Sequence, residues 1–425
     1  MRSKMKYLKI TLCVLAIVSL LPAAGAAQNI LDGRCLGMAG SNGAAALGLE
    51  YLGRNPAVLA SEKDYSLEII PVAARLKLSN NSFSLKEYDR YFTSGGVLSD
   101  RDKDDILAMI PENGMLLNAV GGVEAVSFSF SSVGVAFAAE GNGVMNIPKD
   151  AAEFLFYGNT RSDNIRFNEL ETDGWGGITV NMGIARKLSD DMFGALDRLT
   201  AGINFKYIRG LASAEIIRAE GGVVTTDEYI LADGLVNFKT SEGGSGFGAD
   251  IGFTAAAGNN WMFSLGCSNI LGGVNWNSGN KMQVFEYNSD SLSAGGDQEF
   301  DPAENDTSYS IGDYYTPLNR SLNVAAACRT GDRLLLTAAW NQGINESMGG
   351  TCRPRFSVGA EYCPWSFLPL RTGMAYGGRD DLAVGLGMGI RCKALHLDVG
   401  YLNHSFDWFR SARSVDLAFS TRLRF

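Results

Sequence analysis

Hydrophobic and polar residues alternate along most of the chain. The final segment shows this most clearly, because an apolar row and a polar or small row interleave there: Val415, Leu417, Phe419, Thr421, Leu423 and Phe425 against Asp416, Ala418, Ser420, Arg422 and Arg424. A period of two is typical of a β-strand with one apolar face. Helical periodicity is confined to two stretches, near 99–110 and 148–157. The pattern therefore predicts an all-β fold with two short helices in loops.

The alternating segments predict about fourteen strands. They lie near 64–78, 120–130, 133–141, 176–187, 199–212, 245–257, 261–271, 320–329, 333–343, 353–363, 367–377, 382–391, 395–404 and 414–425. The connections between successive strands alternate between two sets. Those of one set are mostly tight turns, whereas those of the other include long ones near 79–119, 142–175, 213–244 and 272–319. A soluble β-sandwich has no reason for this asymmetry, but an outer-membrane barrel has short periplasmic turns and long external loops. We predict a transmembrane antiparallel β-barrel over residues 64–425, in the bacterial outer membrane.

Tryptophan positions agree with a barrel that has an aromatic girdle at each membrane interface. The strand limits place Trp261 and Trp365 at periplasmic turns. They place the remaining four at or just beyond external strand ends: Trp175, Trp276, Trp340 and Trp408.

Composition and charge exclude several classes of protein. The chain of 425 residues is 46% hydrophobic and 20% charged, which is too apolar for a disordered protein. Its 37 basic residues are outnumbered by 46 acidic ones and form no basic run beyond residue 10, so no nucleic-acid partner is expected. Residues 1–27 combine a basic start, an apolar stretch and small residues, as in a cleaved signal peptide. We therefore expect an exported protein.

Candidate chemistry is sparse, and we predict neither an enzyme nor a metal or cofactor site. His396 and Asp398 share the inward face of one strand, but no serine is evidently positioned beside them, which favours lumenal hydrogen bonding over hydrolysis. The six cysteines after residue 27 form no C-x-x-C pair, and burial as small hydrophobes is favoured over disulfide pairing. The acidic stretch 272–319 lacks the spacing of a calcium loop, which favours a solvated loop over a cation site.

The residues predicted to face the lumen are mostly Gly, Ala and Ser. The candidate polar residues among them are Lys206, Asp250, Arg355, Glu361, His396, Asp398, Arg422 and Arg424. A general porin lines a water-filled pore with many polar and charged groups. This lumen is instead predicted to be occluded, either by packed protein or by an apolar ligand.

The segment before the first strand carries a specific motif. A Gly/Ala-rich run at 35–46 is followed by Tyr51 and then by Asn55-Pro56-Ala57-Val58-Leu59-Ala60. Asn55-Pro56 is by itself a turn signal, and this region could be a mobile periplasmic tail. The order of these residues resembles the start of the FadL-like superfamily, which includes long-chain fatty-acid and hydrocarbon transporters and a secretion-associated branch. The resemblance implies that residues 28–63 form a hatch inside a fourteen-stranded barrel.

Two further features concern closure and assembly of the barrel. Pro71 would interrupt the hydrogen-bond ladder where the first strand meets the last, and such a kinked seam is a candidate lateral exit into the bilayer. Leu423 and Phe425 resemble the C-terminal signal that the outer-membrane assembly machinery reads. Membrane lipid, lipopolysaccharide, this machinery and a hydrophobic small-molecule ligand are the expected partners.

These features favour a passive outer-membrane transporter or channel for hydrophobic, fatty-acid-like small molecules with a lumenal hatch. The alternative is a non-transporting barrel that acts as an assembly or secretion scaffold for exported proteins.

Overall fold

The computed structural model describes residues 31–61, 63–93, 97–157, 164–166, 170–192, 196–225, 229–258, 260–293, 303–379, 382–404 and 413–425. The predicted signal peptide, residues 1–27, and Trp408 lie outside these ranges. Within them, the strands are β1 Leu67–Asn80, β2 Met115–Phe130, β3 Val133–Ile147, β4 Asn164–Arg166, β5 Glu171–Met192, β6 Leu196–Thr225, β7 Tyr229–Ser241, β8 Gly243–Ala257, β9 Trp261–Ser278, β10 Lys281–Ser293, β11 Ala303–Ser310, β12 Tyr314–Pro317, β13 Ser321–Thr330, β14 Leu334–Gly343, β15 Arg355–Trp365, β16 Leu368–Gly377, β17 Leu382–Cys392, β18 Leu395–Asn403 and β19 Ser414–Arg424.

Fourteen of these strands close into a single antiparallel ring. The order is β1, β2, β3, β5, β6, β8, β9 and then β13 to β19, and β19 pairs with β1. Closure satisfies the backbone donors and acceptors of every wall strand, as a sheet within hydrocarbon requires. Each ring strand corresponds to one strand predicted from the alternation, so the predicted fourteen-stranded barrel is confirmed.

The alternation sorts side chains between the outer surface and the lumen. In β19, Leu417 and Phe419 are 46% and 39% exposed, whereas Ser420 is fully buried. At the tight turns, Trp261 stacks on Phe263 with ring centroids 6.2 Å apart. The outer surface is therefore an apolar band with exposed aromatic rings at the tight-turn end.

Two tryptophans contradict the predicted outer girdle. Trp175 is 6% exposed and Trp276 is fully buried, and both belong to one interior apolar cluster. The physical reason is that β5 and β9 extend beyond their predicted limits. Both rings therefore lie on inward-facing rows rather than at the membrane interface.

Five more strands extend the sheet beyond the ring on the side of the long connections. The strand β6 has 30 residues; its first part pairs with β8, and its second part, from Ser213, pairs with β7. Next, β7 pairs with β10 and β10 with β11. The predicted loops 213–244 and 272–319 thus contain much strand. Strands outside hydrocarbon need no uniformly apolar face, so the sequence pattern marks them weakly.

Short helices complete the fold: α1 Gly33–Gly37, α2 Leu85–Tyr88, α3 Asp100–Met109 and α4 Lys149–Tyr157. The helices α3 and α4 match the two helical stretches in the sequence and pack through Leu107, Ile110 and Ala152. Ser99 caps α3, and its hydrogen bonds with Asp102 lower the pKa of that carboxyl. No helix in the described ranges is long and apolar enough to cross a membrane.

The native cysteines offer a test of orientation. The six cysteines in the described ranges are free thiols; Cys352 is exposed beside the long connections and Cys392 is exposed at a tight turn. In variants that retain one of these two thiols, we expect a membrane-impermeant maleimide to label Cys352 on intact cells. Cys392 should react only after the outer membrane is permeabilised. Labelling in the reverse order would contradict the assigned orientation.

Candidate functional site in the barrel lumen

The N-terminal segment, residues 31–61, lies inside the ring. It consists of α1 and three 3₁₀ turns, Asn42–Ala45, Gly48–Tyr51 and Pro56–Ala60. The helix α1 contacts β16 to β19, the first turn contacts β9, β13 and β14, the second contacts β1 to β3, and the third contacts β5, β6 and β8. Ser41 and Met38 lie against Gly359 of β15. The segment therefore touches all fourteen ring strands.

Glycines in the wall let the backbone of this segment come close. A Cβ atom built on Gly202 would lie 2.5 Å from the Ala57 nitrogen, and one on Gly387 would lie 2.9 Å from the Gly37 Cα. Neither position would accept a side chain without displacing main chain, since real Cβ contacts are longer. The small inward residues of the wall thus make room for protein rather than for a water-filled pore.

The Asn55-Pro56-Ala57 motif joins the segment to the wall. The Asn55 Oδ1 accepts a hydrogen bond from the Ala57 nitrogen at 3.0 Å, which caps the third turn, and Pro56 occupies its first position. The Asn55 Nδ2 donates to the Phe253 carbonyl at 2.9 Å and to Ser264 Oγ at 2.7 Å. Asn55 is fully buried, so one side chain shapes the turn and binds it to β8 and β9.

A second attachment is a network of buried ion pairs near the tight-turn end, which we call the basal network. Its members carry five negative and five positive charges: Asp32, Glu50, Glu68, Glu361 and Asp398 with Arg34, Arg371, Arg391, Arg422 and Arg424. The Arg34 Nε lies 2.9 Å from Glu361 Oε2, and the Arg34 Nη1 lies 2.8 Å from Glu50 Oε2. Because the charges balance, the network satisfies the condition for burying ionised groups.

Within this segment, the charges of the network fix the ionisation of Glu50. Burial alone would raise the pKa of this carboxyl, but the Arg34 and Arg424 guanidiniums outweigh burial and lower it. A carboxyl with a lowered pKa in the folded state stabilises that state above its ordinary pKa, and this contribution is lost only as the pH falls through the lower value. The Glu50 ion pairs therefore persist at neutral and mildly acidic pH. Burial also raises the pKa of the nearby Cys35 thiol to about 11, so this thiol is protonated at neutral pH.

The predicted lumenal residues fall into separate places. Four of them, Glu361, Asp398, Arg422 and Arg424, join the basal network. Lys206 and Asp250 form a separate ion pair of 2.9 Å, and the Lys206 Nζ also donates to the Gly53 carbonyl at 3.1 Å. His396 lies opposite Arg422 in the register, and Arg355 begins β15 at the outer end.

His396 and Asp398 do not form a catalytic pair in this geometry. The two oxygens of Asp398 lie 2.7 Å from Arg371 Nη1 and 2.8 Å from Arg422 Nη1. The carboxylate is therefore engaged by two guanidiniums rather than orienting the imidazole.

The sequence interpretation missed the charges of the network on the N-terminal segment and in the first strand: Asp32, Arg34, Glu50 and Glu68. In the sequence, these residues could have been recognised because few other charged residues surround them. Charges are few in residues 31–60, and Glu68 stands in an apolar stretch at the start of β1. A charged residue that must enter a closed barrel needs a partner of opposite sign.

A cavity of about 150 Å³, the central cavity, lies above the N-terminal segment. Apolar side chains from the segment and from several strands line it: Leu31, Leu49, Leu52, Ile70, Ala136, Trp175, Ile208, Leu318 and Met348. Seven charged residues also line it: Asp32, Glu50, Arg54, Glu124, Glu140, Lys206 and Arg422. The cavity thus offers an apolar wall beside a polar one, as small-molecule sites commonly do.

The loop at 344–353 contributes Met348 to the outer side of this cavity. Met348 has φ of +51° and is 3% exposed, packed in the cluster of Trp175 and Trp276. The Gly349 nitrogen donates to Asp173 Oδ2 at 2.9 Å across the lumen. The loop therefore roofs the central cavity, and the N-terminal segment forms its floor.

The seam between β1 and β19 is irregular at Pro71. The register runs from Ile69 opposite Leu423 to Ala73 opposite Ser420, so β1 carries one extra residue. The Thr421 Oγ1 accepts from the Val72 nitrogen at 3.2 Å and donates to the Val72 carbonyl at 2.8 Å. A side chain thus replaces backbone pairing where proline breaks the ladder.

Comparison with known proteins assigns a family. The model of a family described as "Family of unknown function (DUF5723)" matches residues 56–242 and 231–400. The chain belongs to DUF5723. No curated protein matches the sequence.

Solved structures show the fold that this DUF5723 chain shares. The toluene transporter TbuX of Ralstonia pickettii has a TM-score of 0.51 and 11% identity, over 95% of this chain and 99% of that chain. The CymD monoaromatic hydrocarbon channel has a TM-score of 0.51 and 9% identity, over 94% of this chain and 99% of that chain. The deltaS2S3 mutant of the TodX monoaromatic hydrocarbon channel has a TM-score of 0.51 and 11% identity, over 92% and 98%. The DUF5723 chain therefore shares the barrel fold of these transport channels, and the predicted resemblance is confirmed at the level of the fold.

The fit between segment and wall can be tested at Gly373 of β16. A Cβ atom there would lie 2.6 Å from the Met38 carbonyl oxygen, so Gly373→Val should displace the N-terminal segment while the ladder remains paired. In a variant that retains only Cys35, we expect maleimide labelling of this thiol to rise at least tenfold. Gly53→Ala is the matched control, because its Cβ would meet only Asn181 Oδ1, at 3.7 Å. Equal labelling of both variants would contradict the close packing of segment and wall.

Proposed function

We propose that this DUF5723 barrel is a passive outer-membrane transporter for hydrophobic, fatty-acid-like small molecules, with residues 28–63 acting as a hatch. The observation that carries the proposal is the central cavity. It has an apolar wall and lies between a segment that fills the lumen and a loop that roofs it. Such an arrangement suits temporary binding of an apolar molecule better than free diffusion of ions.

The structural neighbours support the same class of substrate. They are a toluene transporter and monoaromatic hydrocarbon channels. An apolar molecule that reaches the central cavity gains free energy by leaving water. It also has little tendency to continue into the aqueous periplasm, so an exit toward the bilayer is favoured.

The seam at Pro71 is our candidate for this exit. Ile70 and Ala73 of β1 line the central cavity, and Pro71 and Val72 between them are exposed on the outer surface. The same few residues of β1 therefore form both a part of the cavity wall and the irregular stretch of the hydrogen-bond ladder. Local separation here disrupts fewer backbone hydrogen bonds than it would at a regular strand pair.

Deletion of residues 31–54 tests the hatch. Asn55, Pro56 and Ala57 would remain to form the third turn. We expect the intact protein to conduct poorly in planar bilayers, and the deletion variant to show a stable conductance at least several-fold larger because water fills the vacated lumen. Equal conductance of the two folded proteins would contradict the hatch.

Uptake distinguishes a transporter from a secretion scaffold. Cells that express the intact protein should accumulate radiolabelled oleate or toluene faster than cells without the gene. If uptake is equal and an exported protein co-purifies with the barrel, the scaffold is the better assignment.

Pro71→Ala tests the lateral exit. Alanine restores a backbone donor and can relax the bulge, so the seam should become more regular and uptake of the labelled hydrocarbon should fall several-fold. Pro317→Ala, in β12 outside the ring, is the control and should leave uptake unchanged. Heat-modifiable migration verifies that both barrels are folded. Undiminished uptake in Pro71→Ala would remove this seam from the transport route.

A further inference from the structure

One carboxyl group of the central cavity differs from those of the basal network. Glu124 of β2 lines the cavity but forms no ion pair with any described residue. The charged groups that act on it are Glu68 and Glu140, both acidic, and its hydrogen-bonding neighbour is the neutral Ser127 hydroxyl. Its Oε1 atom has no hydrogen-bond partner in the described part of the chain. Because the terminal torsion of a carboxyl group is soft, either oxygen can turn toward the cavity.

A bulge in β2 sets the position of this carboxyl. The register with β3 runs from Glu124 opposite Ala138 to Phe128 opposite Val135, so β2 carries one extra residue directly after Glu124. Within the bulge, Val126 has φ of +56°, a left-handed conformation that is costly for a β-branched residue. Bulges redirect side chains and are frequent beside active sites.

A second polar group without a partner lines the same cavity. Trp175 of β5 is buried, and its Nε1 has no hydrogen-bond partner within the described ranges. Trp276 belongs to the same apolar cluster, but its Nε1 donates to Thr316 Oγ1 at 3.0 Å. The register along β3 places Trp175 four residues further outward than Glu124. The cavity lining therefore contains an unpaired acceptor toward the tight turns and an unpaired donor toward the outer end.

These two groups disfavour a plain hydrocarbon as the ligand. A buried donor or acceptor that a ligand covers without pairing loses hydration and gains no hydrogen bond in return. A hydrocarbon would cover both groups in this way. A site that hydrogen-bonds a hydroxyl group therefore discriminates strongly against the analogue that lacks it.

An ionised carboxylate is also a poor ligand beside Glu124, because like charges repel each other strongly in a low-dielectric interior. Two cations that line the cavity, Lys206 and Arg422, already have carboxylate partners in Asp250 and Asp398. A hydroxyl group meets no such difficulty. It donates to a carboxylate and accepts from a carboxylic acid, so it can pair with Glu124 in either ionisation state.

We propose that the central cavity selects apolar molecules that carry a hydroxyl group, such as phenols, over the corresponding hydrocarbons. The hydroxyl pairs with the Glu124 carboxyl, the apolar lining surrounds the hydrocarbon part, and an acceptor oxygen at the far end of the ligand accepts from Trp175 Nε1. This inference rests on the proposed function, because it names the chemical class of hydrophobic molecule that the barrel takes up.

Monoaromatic probes of similar size separate these contacts. The full chain, purified in an uncharged detergent, would be titrated calorimetrically with toluene, p-methylanisole, p-cresol and p-methoxyphenol, with protein-free detergent as the blank. We expect p-cresol, which can donate a hydrogen bond, to bind about tenfold more tightly than toluene or p-methylanisole, which cannot. The ether oxygen of p-methoxyphenol should tighten its binding further, because it can accept from Trp175. Equal affinities for p-cresol and toluene would overturn the proposal.

The decisive variant is Glu124→Leu, because leucine is apolar, of similar size and offers no acceptor. Its affinity for p-cresol should fall about tenfold, while its affinity for toluene should not fall. Glu242→Leu is the matched control, since Glu242 is exposed and lies outside the central cavity, and it should keep the preference for p-cresol. Heat-modifiable migration verifies folding, and Glu124→Gln, with a weaker acceptor, replaces a Glu124→Leu that does not fold. An unchanged preference in the folded Glu124 variant would also overturn the proposal.

Trp175→Phe tests the second contact, because it keeps an aromatic ring and removes only the N–H donor. It should abolish the advantage of p-methoxyphenol over p-cresol. Trp276→Phe is the control, since the Trp276 Nε1 already has a protein partner, and it should keep this advantage. If the advantage persists in Trp175→Phe, Trp175 does not contact the ligand.

Uptake by cells keeps this result separate from the proposed function. Selective binding of p-cresol without uptake of any probe would support the site and contradict transport. Uptake of toluene and p-cresol at equal rates, together with equal affinities, would support transport and overturn the selectivity for a hydroxyl group.

Discussion

The need to pair every backbone amide within hydrocarbon governs this structure. It requires a closed ring of strands, so β19 must return to β1 even though Pro71 removes a donor from that pairing. The Thr421 side chain supplies the missing hydrogen bonds from the outer face, and the ring closes with one extra residue in β1. Closure with fourteen strands creates an interior too wide for the wall's own side chains to fill, and the remaining features follow from how that space is occupied.

The N-terminal segment occupies the lumen through two kinds of contact with different physical demands. Its backbone lies against wall glycines, where the fit depends on the absence of a Cβ atom. Its charged side chains enter a network in which each carboxylate meets a guanidinium. The glycine contacts require the segment to fit the shape of the wall. The ion pairs fix which part of the segment lies beside which strand, because the removal of one partner from a buried ion pair leaves an uncompensated charge at a cost of about 3–5 kcal/mol.

Alternation predicted the fourteen ring strands because lipid on one side and packed protein on the other select opposite residues at successive positions. The same rule indicated which face Glu361, Asp398 and Arg422 would occupy. It could not place β7, β10 and β11, which extend beyond the hydrocarbon and are free of that selection. It also misassigned Trp175 and Trp276. A tryptophan just beyond an assumed strand end is compatible with the membrane interface and equally with the barrel interior, so alternation could not decide between them. The meeting of Arg34 with Glu361 joins residues 327 positions apart, and no local pattern encodes such a pairing.

The proposed transport would require either the wall or the segment to move, and their relative stability decides which of them can. Separation of two wall strands breaks several backbone hydrogen bonds in a medium that offers no substitute partners. Withdrawal of the segment breaks ion pairs too, but water then enters the lumen and hydrates Arg34, Glu50 and their partners, which offsets much of the loss. The glycine contacts are dispersion contacts that water replaces more readily than it replaces a missing ladder hydrogen bond in lipid. Large rearrangement is therefore expected of residues 31–61 rather than of the wall. Within the wall, the stretch at Pro71 is one of the places where a side chain stands in for the ladder, as Ser127 and Asp250 do in two other strand pairs.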